Sequence, residues 1–268
     1  MALLFVTLAL PAQALELTGQ FVQGGLVVGQ AAPGSSVTLD GSGVDVAPGG
    51  AFVFGFGRDA NAKAQLVVTG PDGGRVVRDL TVAAQTYDIQ HIDGLPERKV
   101  TPAPEDLQRI KDDNAKIGAV RARLSPDAHF LSGFVWPVTG PISGVFGSQR
   151  ILNGEPKNPH NGVDVAAPVG APIVAPATGV VALVHDDMFY TGKTVMIDHG
   201  LGLTSVYAHL DSIVVMDGQR VEQGAPLGRV GATGRVTGAH LHWGLTWKGT
   251  HLDPKLAAGL MPAENAKN

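Results

Sequence analysis

From Leu15 to about Pro96, apolar and polar residues alternate in short runs. The runs Leu15–Thr18, Val37–Leu39, Val44–Val46 and Gln65–Val68 each have this character. A period of two marks strands with one face buried. Turn signals separate the runs at Gly24-Gly25, Pro33-Gly34, Pro48-Gly49-Gly50 and Pro71-Asp72-Gly73-Gly74. Short strands broken this often predict a β-sandwich over 15–100, immunoglobulin-like in its spacing. The pattern then changes. From Thr101 to Arg123 a helix is predicted, with Pro102 and Pro104 before it and Glu105 and Asp106 in the first turn. Acids there favour the positive end of the helix dipole. Leu107, Ile110, Ile117 and Leu124 fall on one face, which Asn114 and Arg121 interrupt. This is the pattern of an amphipathic linker helix, placed at 101–125. Dense β-patterning resumes from Phe134, and a C-terminal antiparallel β-domain is placed at 126–262. The chain therefore reads as mainly β, with an N-terminal sandwich, a linker helix and a C-terminal antiparallel β-domain.

Composition narrows this. The chain has 36 glycines and 18 prolines without a three-residue period, which excludes collagen and fits many turns. Charged residues make up 16% and hydrophobic residues 44%, which argues against coiled coils and against disorder. The net charge is −4 and no basic cluster stands out, so no nucleic-acid partner is expected. There are no cysteines, which removes disulfides, thiolate nucleophiles and Cys-rich structural zinc. Residues Met1 to Leu10 are apolar apart from Thr7, and Pro11-Ala12-Gln13-Ala14 follows with a small-x-small ending. This reads as a signal peptide over 1–14 and an exported, periplasmic or secreted protein. The run is too short to span a membrane. It lacks the usual basic start, since no Lys or Arg precedes Arg58, and the competing reading is a buried first strand.

Seven of the nine histidines lie from His160 onward, and three groups of residues there suggest chemistry. The first is His160-Asn161-Gly162-Val163-Asp164, read as a loop entering a strand, with Gly162 letting His160 and Asp164 converge. The second is Tyr207-Ala208-His209-Leu210, where strand alternation puts Tyr207 and His209 on one face. The third is His240-Leu241-His242-Trp243, where His240 and His242 share a face and Leu241 and Trp243 face a core. Imidazole and carboxylate suit zinc, and a catalytic site typically takes three protein ligands and keeps one position open. Four histidines and one aspartate exceed that need, so the surplus histidines are candidates for proton handling or oxyanion stabilisation. No His-Glu-x-x-His motif is present.

These motifs resemble the lysostaphin/LytM-type zinc metallopeptidases, which are cell-wall endopeptidases. The resemblance covers roughly 134–247. It includes Gly144-Val145-Phe146-Gly147, His160-x-Gly162-x-Asp164, Tyr207-Ala208-His209-Leu210 and Gly238-x-His240-Leu241-His242. It implies zinc ligands at His160, Asp164 and His242, catalytic histidines at His209 and His240, and a peptidoglycan peptide as substrate. Which histidine of the His-x-His pair binds metal follows from the resemblance alone. Ala239 stands where the family often has proline. Arg150, Asn153 and Tyr207 are candidate substrate contacts. The glycine-rich stretches 140–147 and 231–238 are expected to wall a groove. The alternative reading is a non-catalytic wall-binding regulator of other hydrolases. A lipoyl-type carrier is a further alternative, with Lys193 as its attachment point, but it leaves the histidines unexplained. Gly192-Lys193-Thr194 is no P-loop, because Asp187 occupies the first glycine position.

Overall fold

The structure, a computed structural model, describes residues 15–262. The apolar segment 1–14, read above as a signal peptide, lies outside the described residues. Among the described residues no helix is long and apolar enough to cross a membrane.

The N-terminal alternation forms two small antiparallel sheets. Leu26–Gln30 lies between Glu16–Gly19 and Ala51–Gly55 in one sheet. Ser42–Val44, Ser36–Leu39, Lys63–Thr69 and Arg75–Thr81 follow in that order in the other. Val27, Phe52, Phe54 and Leu66 are fully buried between them. This core is not closed on itself. It continues into Leu201, Leu203, Leu245, Trp247 and Leu252, which belong to the C-terminal half. Burying apolar area is the main stabilising term in folding, so the two halves support each other directly.

The C-terminal half is built on a ten-stranded sheet whose pairings are all antiparallel. Its main order is Arg220–Val221, Gly179–Met188, Gly192–Gly200, Leu203–Ile213, His240–Trp247, Val163–Ala166 and Ile142–Gly144. One face packs Val165, Ile197, Tyr207, Leu210, Leu241 and Trp243 into a second core.

Between the halves, one strand and the helix make contacts that local spacing does not indicate. The strand Ile89–Ile92, placed with the sandwich by its alternation, pairs in parallel with Gln149–Leu152 of the C-terminal half. The helix runs from Leu107 to Arg121 and lies on the sheet through Val120, Ile117, Ala182, Met196 and Val206. Its buried face differs from the expected one. Leu107 and Leu124 are 56% and 58% exposed, whereas Asp113 and Val120 are buried. The helix turns Ile110, Asp113, Ile117 and Val120 inward at spacings of three and four. An acid takes one of those positions because it has a specific hydrogen bond to make, described below.

Candidate metal centre

Three adjacent strands deliver the histidine and aspartate motifs to one point. Val163–Ala166 pairs with His240–Trp247, and Asp164 stands directly opposite His242. Leu203–Ile213 flanks the other side of His240–Trp247, with Ala208 opposite His242. His160 arrives from the loop before Val163. Its amide donates to the Ser148 carbonyl, and its own carbonyl accepts from the Gly147 amide.

His160 Nε2, His242 Nδ1 and Asp164 Oδ1 form a tight triangle. His160 Nε2 is 3.0 Å from His242 Nδ1 and 3.1 Å from Asp164 Oδ1, and His242 Nδ1 is 2.8 Å from that oxygen. Two ligands of a tetrahedral zinc with bonds of about 2.0–2.1 Å stand about 3.3 Å apart. The triangle therefore has close to the right size for zinc, and the donor set of two imidazoles and one carboxylate suits it. Orientation agrees. His160 Nδ1 faces the Val145 carbonyl at 3.0 Å and must donate to it, which leaves the Nε2 lone pair for a metal. Asp164 Oδ2 accepts from Arg150 Nη2 at 2.5 Å, so the other oxygen is turned toward the histidines.

Two glycines let these groups approach. A Cβ on Gly144 would lie 2.4 Å from Asp164 Oδ2, and one on Gly162 would lie 2.4 Å from the Trp243 carbonyl and 2.9 Å from His242 Cε1. No side chain fits at either place while both ligands keep their positions.

His209 and His240 stand beside the triangle, with ring centroids 4.8 Å apart. His209 Nδ1 donates to the Thr233 carbonyl at 2.8 Å and His240 Nδ1 to the Gly238 carbonyl at 2.9 Å. Each therefore presents a free Nε2, and His240 Nε2 lies 3.8 Å from Asp164 Oδ1. Both carbonyls belong to the 231–238 stretch.

The electrostatics suit a metal. Burial pushes Asp164 up, but the charges and hydrogen bonds of His160 and His242 outweigh it and hold the carboxyl well below its usual range. Burial, with smaller help from His240 and His242, pushes His209 down to about 3. Burial also pushes His242 down to about 4, against the pull of Asp164. Both imidazoles are thus neutral near pH 7, the form that binds metal or accepts a proton.

The sequence-based substrate contacts fare differently. Arg150 lies at the site but is engaged with Asp164. Asn153 faces away, bonding both the amide and the carbonyl of Leu95. Tyr207 does not share a face with His209. It is fully buried, and its hydroxyl bonds Ser205, which bonds His199. The reason is a bulge. The register between Gly192–Gly200 and Leu203–Ile213 shifts between Lys193 and Val195, and His209 takes φ 67°. The extra residue keeps Tyr207 and Leu210 in the core and turns His209 outward to the site. The sequence reading also missed Thr233 and Val145, which act through their carbonyls. Backbone acceptors leave no side-chain signature.

Comparison with known proteins agrees with this geometry. Residues 158–254 match the model of Peptidase family M23. A solved structure from Pseudomonas aeruginosa, described as a peptidase M23, is 33% identical with TM-score 0.69, over 90% of this chain and 96% of that one. Peptidoglycan DD-endopeptidase ShyA of Vibrio cholerae is 44% identical over 91 residues, which are 34% of this chain and 21% of ShyA. Cell division protein DipM of Caulobacter vibrioides is 35% identical over 154 residues, 58% of this chain and 24% of DipM. The matched segments thus span about a fifth to a quarter of these two relatives.

Proposed function

The chain belongs to peptidase family M23, and on that basis we propose that it is a zinc-dependent endopeptidase that hydrolyses peptide bonds in peptidoglycan stems or cross-links. The observation that carries this is the convergence of His160 Nε2, Asp164 Oδ1 and His242 Nδ1, with the free nitrogens of His209 and His240 beside them. His160, Asp164 and His242 would hold the zinc. When bound, zinc supplies a Lewis acid for the scissile carbonyl and lowers the pKa of an attacking water.

The remaining work falls to the chain. His209, kept neutral by burial, orients the water and takes its proton at Nε2. His240 faces it across a short gap and, with a proton taken from solvent on Nε2, donates a hydrogen bond to the oxygen on which negative charge develops. One of the two then returns a proton to the departing amine. Arg150 holds Asp164 in the ligating orientation throughout. Such a substrate lies outside the cytoplasm, which agrees with the reading of 1–14 as an export signal. The domains proposed at 15–100 and 101–125 support the catalytic domain at 126–262.

The test is digestion of cross-linked sacculi by the purified protein, with and without chelator and restored zinc. Mass spectrometry of the muropeptides should show new amine termini that require zinc. Zinc binding with no new termini would instead support a wall-binding regulator.

A further inference from the structure

The long helix carries a buried acid that the proposed chemistry does not use. Asp113 is 7% exposed, and its Oδ2 accepts a hydrogen bond from the Phe189 amide at 2.8 Å. The cations one turn away on the helix are engaged elsewhere, Arg109 with Asp187 and Lys116 with His185. Burying a carboxylate is costly unless its bond is needed, and an apolar residue would pack there more cheaply. The bond it makes is to a turn, 189–191, that joins Gly179–Met188 to Gly192–Gly200.

That turn holds His209 once directly and once through the stretch that carries Thr233. The Thr191 carbonyl accepts from the His209 amide at 2.8 Å, while the Tyr190 carbonyl accepts from the Arg235 amide at 2.8 Å. Arg235 belongs to the stretch that includes Thr233, whose carbonyl fixes the His209 ring. The Lys193 amide, just past the turn, donates to Thr233 Oγ1 at 2.9 Å. His209 itself sits in left-handed backbone, which a residue with a side chain keeps only where its surroundings impose it.

We infer that Asp113 is a positioning residue for His209: through the Phe189 amide it anchors the turn that sets both the backbone and the ring of that histidine. The helix then serves the site through that turn and is more than a linker. This rests on the reading of His209 as a proton-handling residue, but its structural part does not.

The test compares Asp113→Ala and Asp113→Asn with the wild type. Asparagine keeps an acceptor oxygen in place and alanine does not. Hydrogen exchange should speed up by about tenfold or more at the amides of Phe189 and His209 in Asp113→Ala, and stay near wild type in Asp113→Asn. On cross-linked peptidoglycan, kcat should fall by about tenfold or more in Asp113→Ala with KM within about twofold, since misplacing a catalytic group acts on the chemical step. Zinc content should not change, because the ligands lie on other elements. Unchanged exchange at His209 in Asp113→Ala, or equal losses in both variants, would overturn the inference. If Asp113→Ala does not fold, Asp113→Ser, too short to reach the Phe189 amide, is read in the same way. A wild type inactive on peptidoglycan would overturn the peptidase reading alone, and the exchange at His209 would still decide the linkage.

Discussion

Replacing Gly144 by alanine should weaken zinc binding through one added methyl group. Gly144 lies opposite Asp164 in the antiparallel pair, and its φ is not in the left-handed region, so the backbone accepts alanine. The conflict is with the ligand alone. The new Cβ would stand 2.4 Å from Asp164 Oδ2, 3.0 Å from its Cγ and 3.1 Å from its Cβ. Ordinary contact begins near 3.4 Å, so the carboxylate must withdraw by about 1 Å. Its far oxygen is held by Arg150, which limits the escape routes. Overpacking of this kind costs about 1–3 kcal/mol. At about 1.4 kcal/mol per tenfold, zinc affinity should fall by about fivefold to about 140-fold. The assay is competition with a chromophoric chelator at fixed pH. Gly238→Ala is the control, because a Cβ there meets nothing within 4 Å. A Gly144→Ala protein that binds zinc within about twofold of wild type would refute the reasoning, as would an equal loss in the control.

Other outcomes follow from the same geometry. His160→Ala should lose zinc, whereas His209→Ala should keep it and lose about a hundredfold or more in kcat; equal zinc loss in both would contradict the division of roles. His199 is fully buried between the Thr178 carbonyl and Ser205, and burial pushes its pKa down to about 4 against about 6.5 unfolded. Only the unfolded state takes up that proton between the two values, so stability is full above pH 6.5 and falls as pH drops toward 4, by about 3 kcal/mol at most. Chemical denaturation in that window should show a shallower pH dependence in His199→Gln, and an unchanged slope would count against it. A protein beginning at Ser125 should melt well below the full chain, because it uncovers Leu201, Leu203, Leu245, Trp247 and Leu252; an unchanged Tm would mean that the shared core contributes little.

The sequence carried the site better than it carried the arrangement around it. Strand alternation placed His240 and His242 side by side, and the structure has both there with Leu241 and Trp243 in the core. The break at Gly162 announced a loop running into Val163–Ala166, as observed. Alternation failed at Tyr207 and His209, because a period of two assumes an unbroken ladder and the bulge breaks it. The helix was legible, but its buried face was not. Hydrophobic spacing cannot foresee that Asp113 turns inward to meet a backbone amide. The boundary near residue 100 was drawn where strand alternation gives way to helical spacing, and local pattern does not show that Ile89–Ile92 pairs with Gln149–Leu152 or that Phe54 and Trp247 share one core.

The most direct test of the central claim is zinc-edge X-ray absorption of the protein loaded with one equivalent of zinc. The account predicts two imidazole nitrogens and one carboxylate oxygen from His160, His242 and Asp164, at about 2.0–2.2 Å, with one further oxygen from water. A third imidazole at bonding distance, or a spectrum unchanged in Asp164→Ala, would contradict it.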